Sequence, residues 1–261
     1  MIQLSLFSYD AQELPRVSGP TTAVAPAGER LSGVYGDGAR PGAATAVVLH
    51  GAGTGSTRRL LPLLEDFVAR GCHGLAFDFS GHGASTGRTA ELSLQRRFEQ
   101  AVGVIDARTP ADGPLVLVGF SMSGQTVADL ARHYGRRVLA IGLCAPAVYA
   151  AEAWTVPFGD GTGRFTRILR TPESWRSAPA LEALRAYEGR AVLAVPGTDA
   201  VIPGAVTTAI AAALTARATF TRLDLPDADH ALGRWFRDHP EDRTLFVDAV
   251  LADGVRAAGG A

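Results

Sequence analysis

The run Gly119-Phe120-Ser121-Met122-Ser123-Gly124 places a serine hydroxyl among small residues, between a strand pattern over 115–119 and a helix pattern over 123–134. A sharp strand-to-helix turn there would lift Ser121 above a sheet, where a serine can act as nucleophile. Such a turn brings neighbouring backbones close, and Gly119 and Ser123 are small enough to allow it. Taken alone, the pattern also fits an ordinary turn with Ser123 capping the helix. Its partners raise the specificity, because a nucleophilic serine needs a base and an acid that follow in the order acid, then histidine, on later strand ends. Asp199 closes the stretch Val192-Leu193-Ala194-Val195-Pro196-Gly197-Thr198-Asp199, and His230 follows Asp229 after the next strand pattern. Histidine can take and return the serine proton near neutral pH, while a carboxylate fixes its tautomer and stabilises the imidazolium. Asp224, Asp227 and Asp229 lie nearer to His230 in the chain. A residue beside the histidine points away from it in an extended loop, whereas the turn after the preceding strand faces the serine's edge of the sheet, so Asp199 is the expected acid.

Acyl transfer also needs backbone N–H groups aimed at the charge of a tetrahedral intermediate. Met122, directly after the serine, supplies one. The loop His50-Gly51-Ala52-Gly53, directly after a strand pattern, supplies the other, expected at Ala52. His50 itself reads as a packing or hydrogen-bonding residue. His50, His73, His82, His133 and His239 show no ligand pairing at helical or hairpin spacing, so neither a metal nor another cofactor is expected.

The elements that must position these groups alternate as in a parallel sheet: strands over 44–49, 74–79, 115–119, 138–143, 191–195 and 219–225, helices over 58–70, 91–107, 123–134, 205–216 and 243–253. Before residue 44, the stretches 21–25 and 31–35 read as antiparallel edge strands. After Pro146 the alternation breaks, and residues 147–176 read as a small cap inserted into a core made of 1–146 and 177–261. Trp154, Phe158 and Phe165 of the cap sit among glycines rather than on a helical stripe, and together with Gly53 they are expected to line the substrate pocket.

These motifs in this order resemble the α/β-hydrolase superfamily, from about Thr21 to Val255. Asp78-Phe79-Ser80-Gly81-His82-Gly83-Ala84-Ser85-Thr86-Gly87 looks like the loop after the fourth strand in esterases, monoacylglycerol lipases and serine aminopeptidases, and its wording is most similar to feruloyl- or cinnamoyl-esterase-like members. The resemblance implies an α/β-hydrolase fold, a mostly parallel twisted sheet with helices on both faces and a small cap, with His82 structural. It also implies a serine hydrolase that cleaves an ester or thioester of a small or medium acyl substrate through an acyl-enzyme. The chain departs from the pattern where Ser123 replaces the usual glycine and where Gly197-Thr198-Asp199 is one residue shorter than the common Gly-x-x-Asp. The same framework serves acyltransferases, cyclases and carbon-carbon bond hydrolases.

Composition narrows the partners. A formal charge of −1 over 261 residues offers no basic field for nucleic acid, and the pairs Arg58-Arg59, Arg96-Arg97 and Arg136-Arg137 read as solvated helix faces. Every basic residue is arginine, which removes lysine Schiff-base chemistry. Cys72 and Cys144 read as reduced core thiols. No secretory pattern opens the chain and no apolar run reaches membrane-spanning length, so the expected setting is cytoplasmic, with a small-molecule substrate. A dinucleotide site at Gly51-Ala52-Gly53-Thr54-Gly55 has the wrong glycine spacing. A non-catalytic receptor on this framework would normally lack one member of the serine, acid and histidine set, and all three are present.

Overall fold

In the strands, every second residue faces the same side of a sheet, and this chain makes both sides apolar. In β3 (Thr45–Leu49), Val47 and Leu49 join one core while Ala46 and Val48 join the other. β5 (Leu115–Phe120) divides Leu115 and Leu117 from Val116, Val118 and Phe120 in the same way. Strands buried on both faces need helices above and below, which is how a parallel sheet is covered.

The computed structural model describes residues 4–10, 29–38 and 42–252. Its eight-stranded sheet has the order β1-β2-β4-β3-β5-β6-β7-β8, with β1 (Leu4–Asp10), β2 (Arg30–Gly36), β4 (His73–Phe77), β6 (Val138–Cys144), β7 (Arg190–Pro196) and β8 (Thr219–Leu225) completing it. β3 to β8 are parallel throughout, and β2 is antiparallel to both β4 and β1. The expected strand over 31–35 is thus β2. The one expected over 21–25 lies outside the described residues, and β1 was not foreseen.

α1 (Leu61–Ala69), α7 (Leu232–Asp238) and α8 (Pro240–Val250) cover one face, through Leu64, Phe67, Phe236 and Phe246. α2 (Leu94–Arg108), α3 (Ser123–Tyr134), α5 (Pro179–Ala186) and α6 (Gly204–Leu214) cover the other. Two helices begin later than their apolar spacing suggested. Thr57–Leu60 forms a 3-10 turn before α1, with Pro62 placed where a helix start tolerates proline. Ser93 caps α2 by accepting from the Arg96 N–H at 3.1 Å. β8 forms one edge of the sheet, and its side chains are largely exposed or half-buried.

Between β6 and α5 the chain leaves the sheet through a 3-10 turn at Ala151–Ala153, α4 (Arg164–Arg170) and a second 3-10 turn at Ser174–Ser177. Ala153, Val156 and Phe165 of this segment pack with Leu94 and Met122 in a separate small cluster. Among the described residues, no helix is long and apolar enough to cross a membrane.

Candidate active site

β5 stops at Phe120 and α3 starts at Ser123, leaving Ser121 in the turn with φ of 51°, a left-handed conformation that is costly for a residue with a Cβ. Hydrogen bonds from β6, the loop after it and α3 hold it there: the Ser121 N–H donates to the Cys144 carbonyl at 2.9 Å, and its own carbonyl accepts from Gly124 at 2.8 Å and Ala147 at 2.9 Å. Position 119 must be glycine in this turn, since a Cβ there would lie 2.5 Å from the Ser123 carbonyl oxygen. Ser123 does not cap α3. Its hydroxyl turns instead to the His50 carbonyl, 2.6 Å away.

His230 bridges Ser121 and Asp199. Its Nε2 lies 2.9 Å from Ser121 Oγ and its Nδ1 lies 2.9 Å from Asp199 Oδ2. A carboxylate only accepts, so Nδ1 carries the proton and Nε2 is left to accept from the serine. The turn after β7 and the loop after β8 are laced together, which brings acid and histidine into register. The Gly197 N–H donates to the Leu225 carbonyl at 2.8 Å, and the Thr198 N–H and hydroxyl both donate to the Ala228 carbonyl at 3.0 and 2.9 Å. Burial opposes the charge on Asp199, but hydrogen bonds from His230, Ile202 and Val201 outweigh it and hold the carboxyl below its ordinary pKa. The nearby carboxylates are engaged elsewhere, Asp229 with the Ala231 N–H and Arg234, and Asp224 with Arg222.

The loop after β3 runs against the serine turn. A Cβ on Gly51 would come within 3.1 Å of both Ser121 Cβ and the Phe120 carbonyl oxygen, tighter than an ordinary contact, so glycine suits this approach. Among the described residues, no backbone carbonyl outside the regular helices and strands engages the N–H of Ala52 or of Met122. His50 accepts the Phe79 N–H at Nε2 (3.1 Å) and pairs its Nδ1 with the Gly51 carbonyl (2.6 Å). Burial above all, helped by the charges of Arg97 and His82, keeps its pKa well below the usual histidine range, so it is neutral. A cleft of about 210 Å³ opens here, bordered by Ala52, Ser121 and His230, with Arg59 and Arg234 at its sides.

The family model described as serine aminopeptidase, S33, matches residues 41–226, well over half of the chain. The chain belongs to the serine aminopeptidase S33 family. No curated protein matches the sequence. Among solved structures it is similar to a thioesterase domain from the curacin biosynthetic pathway, at 15% identity and TM-score 0.65 over 97% of this chain and 100% of that one. It is also similar to Est1E from Butyrivibrio proteoclasticus with ferulic acid bound, at 16% identity and TM-score 0.64 over 87% and 97%. A predicted CIB-like hydrolase from Thermoplasma acidophilum stands at 15% identity and TM-score 0.64 over 95% and 98%. These likenesses establish the α/β-hydrolase fold, and the family is one of hydrolases.

In this S33 family member the expected pocket residues lie apart from the cleft at Ser121. Phe158 packs tilted against Phe165 with ring centres 4.6 Å apart, Phe165 approaches Tyr149 at 5.9 Å, and Trp154 meets Phe98 of α2 at 5.9 Å. Their aromatic surface satisfies itself and the Met122 side chain, so none of the three borders that cleft. Gly53 sits at φ of 66° in the loop and is not among the cleft's bordering residues either. Trp154 instead borders a separate hollow of about 260 Å³ with Tyr149, Gln125 and Asp129. Among the described residues, no group of three or more His, Cys, Asp or Glu side chains could hold a metal.

Arg97 was not foreseen as part of the site. Far from being solvated, it is fully buried on α2, and Arg96 beside it pairs with Glu29 at 2.8 Å. Arg97 Nη2 donates to the His50 carbonyl and to Ser123 Oγ, each at 2.8 Å, and its guanidinium lies 3.7 Å over the Phe79 ring. Burial pushes its pKa down to about 9, which leaves it charged at neutral pH. A signal existed in the sequence: Leu94, Arg97, Ala101 and Val104 follow the spacing of one helix face, so the arginine stands on the apolar stripe.

Proposed function

We propose that this protein is a serine hydrolase that cleaves an ester or thioester of a small or medium organic acyl substrate through Ser121, His230 and Asp199. The observation that carries the reading is the pair of 2.9 Å contacts by which His230 joins the serine hydroxyl to the carboxylate. His230 Nε2 takes the proton from Ser121 Oγ as that oxygen attacks the acyl carbon, and Asp199 stabilises the resulting imidazolium. The carbonyl oxygen becomes an oxyanion and accepts from the N–H groups of Ala52 and Met122. When the intermediate collapses, the carbon–leaving-group bond breaks and His230 gives its proton to the departing oxygen or sulfur. Water then attacks the acyl-Ser121 ester, His230 removes its proton, and a second collapse frees the acid and restores the serine.

A fluorophosphonate probe tests the nucleophile. It is expected to label the protein once, and Ser121→Ala is expected to abolish labelling and to lower turnover by roughly 10⁴- to 10⁶-fold. Labelling at another residue would remove Ser121 from the mechanism. p-Nitrophenyl esters of increasing chain length, with an acyl thioester and an aryl ester beside them, test the substrate class. A cytoplasmic setting belongs to the same reading.

A further inference from the structure

The His50 carbonyl accepts two hydrogen bonds, from Ser123 Oγ at 2.6 Å and from Arg97 Nη2 at 2.8 Å, and Arg97 Nη2 is also 2.8 Å from Ser123 Oγ. The serine hydroxyl has one proton, which it gives to His50, so it accepts from the guanidinium. The three groups close a triangle between α2, the serine turn and the loop after β3. None of the three residues is more than 2% exposed. The His50 carbonyl shares its peptide with the Gly51 N–H, one residue before Ala52, while Ser123 directly follows Met122. The triangle therefore ties together the loop that carries Ala52 and the turn that carries Met122.

Arg97 occupies this place at a cost. Its Nε and Nη1 have no hydrogen-bond partner, and the two oxygens that its Nη2 meets are neutral. A buried cation left largely uncompensated weakens the fold, and an apolar side chain of similar volume would fill the same space beside Phe79 without that penalty. A local rule broken in this way is characteristic of a functional site. A glycine at position 123, the residue usual in the superfamily this chain resembles, would leave Arg97 its bond to the His50 carbonyl but remove the hydroxyl that joins both to the serine turn.

We propose that Arg97, acting through Ser123 and the His50 carbonyl, is a positioning residue that holds the Ala52 and Met122 N–H groups at the spacing a tetrahedral intermediate needs and fixes a positive charge behind them. The inference rests on the reading of Ser121 as nucleophile. A preorganised charge in a water-excluded site acts over a longer range than one in solvent and needs no reorganisation as the oxyanion forms.

Ser123→Ala and Arg97→Met test it, with p-nitrophenyl acetate as substrate and phenylboronic acid as a probe that forms a tetrahedral adduct on the serine. The expected result is a fall in kcat of roughly 10- to 100-fold with KM within about threefold, and a rise of similar size in the boronate Ki, because a small misplacement of donors costs that much. Folded variants whose kcat and Ki stay within about twofold of wild type would overturn the proposal. So would a change confined to KM and melting temperature, which is what simple packing residues give. Should Arg97→Met fail to fold, Ser123→Ala decides, since it removes a single buried oxygen. Failure of the nucleophile is read separately: Ser121→Ala with wild-type turnover sinks that assignment, whereas an inactive Ser121→Ala beside a normal Ser123→Ala sinks the positioning role alone.

Discussion

Asp199 accepts from the Val201 and Ile202 N–H groups through Oδ1, at 2.7 and 3.0 Å, and from His230 through Oδ2. Asparagine can keep the first pair of contacts. It then turns an NH₂ group toward His230, which favours the other tautomer and removes the charge that would stabilise an imidazolium in the proposed mechanism. Asp199→Asn is therefore expected to fold and to lose roughly 10⁴-fold in kcat, with Asp227→Asn and Asp229→Asn costing far less, as steady-state ester hydrolysis at neutral pH will measure. The meeting of Ser121, His230 and Asp199 was legible because their order along the chain and their places after strand patterns are imposed by a parallel sheet whose strand ends share one edge. Arg97 was misread because charge usually marks a solvated face, and reading it correctly required weighing its position on the stripe above its type. The aromatics at 154, 158 and 165 were read as facing substrate because they break a helical stripe. Irregular backbone gives no face to read; Phe158 and Phe165 pack on each other and Trp154 on Phe98 of α2.

At the scale of elements, α3 carries a second buried charge. Asp129 is 4% exposed and accepts from Gln125 at 2.9 Å. Burial pushes its pKa up to about 6, against the pull of Gln125 and of Arg132. A carboxyl whose folded pKa is raised favours folding fully only below its unfolded pKa of about 4, and it loses that contribution as the pH rises through the folded value. Asp129→Asn should therefore stabilise the protein at pH 8 by on the order of 1–3 kcal/mol, a few degrees in Tm, with the gain fading between about pH 6 and pH 4. Melting curves across that range check both sign and window. In the segment between β6 and α5, Phe165 is 6% exposed within the cluster at Met122. Phe165→Ala should cost about 3–5 kcal/mol if that segment melts with the sheet, as calorimetry will show. Long, strongly periodic elements were legible, whereas α5 and α7, at 8 and 7 residues, offer too few turns for a period to stand out.

Across the whole molecule, α8 closes the face opposite α3 and packs on β6, β7 and β8. Phe246 is fully buried there against Phe236, and the pairs Arg243–Asp66 (2.7 Å) and Arg70–Asp248 (2.8 Å) tie α8 to α1. The ion pairs are partly exposed and contribute little; the ring carries the joint. Phe246→Ala is expected to destabilise by about 3–5 kcal/mol and to lower Tm by roughly 10 °C. The parallel sheet and its two helical layers were readable from alternation alone, but β1 was not, since a strand that joins the outside of a sheet leaves no helix after it to announce it.

β8 ends the sheet opposite β1, and among the described residues its outer backbone N–H and C=O groups pair with no further strand. An open edge of this kind is a template on which a second chain could add itself, the first step toward aggregation. β8 carries Arg222 and Asp224 on that strand, both exposed and joined to each other at 2.8 Å. A chain approaching to extend the sheet would have to dehydrate both charges, so the pair acts as a gatekeeper against open-ended stacking.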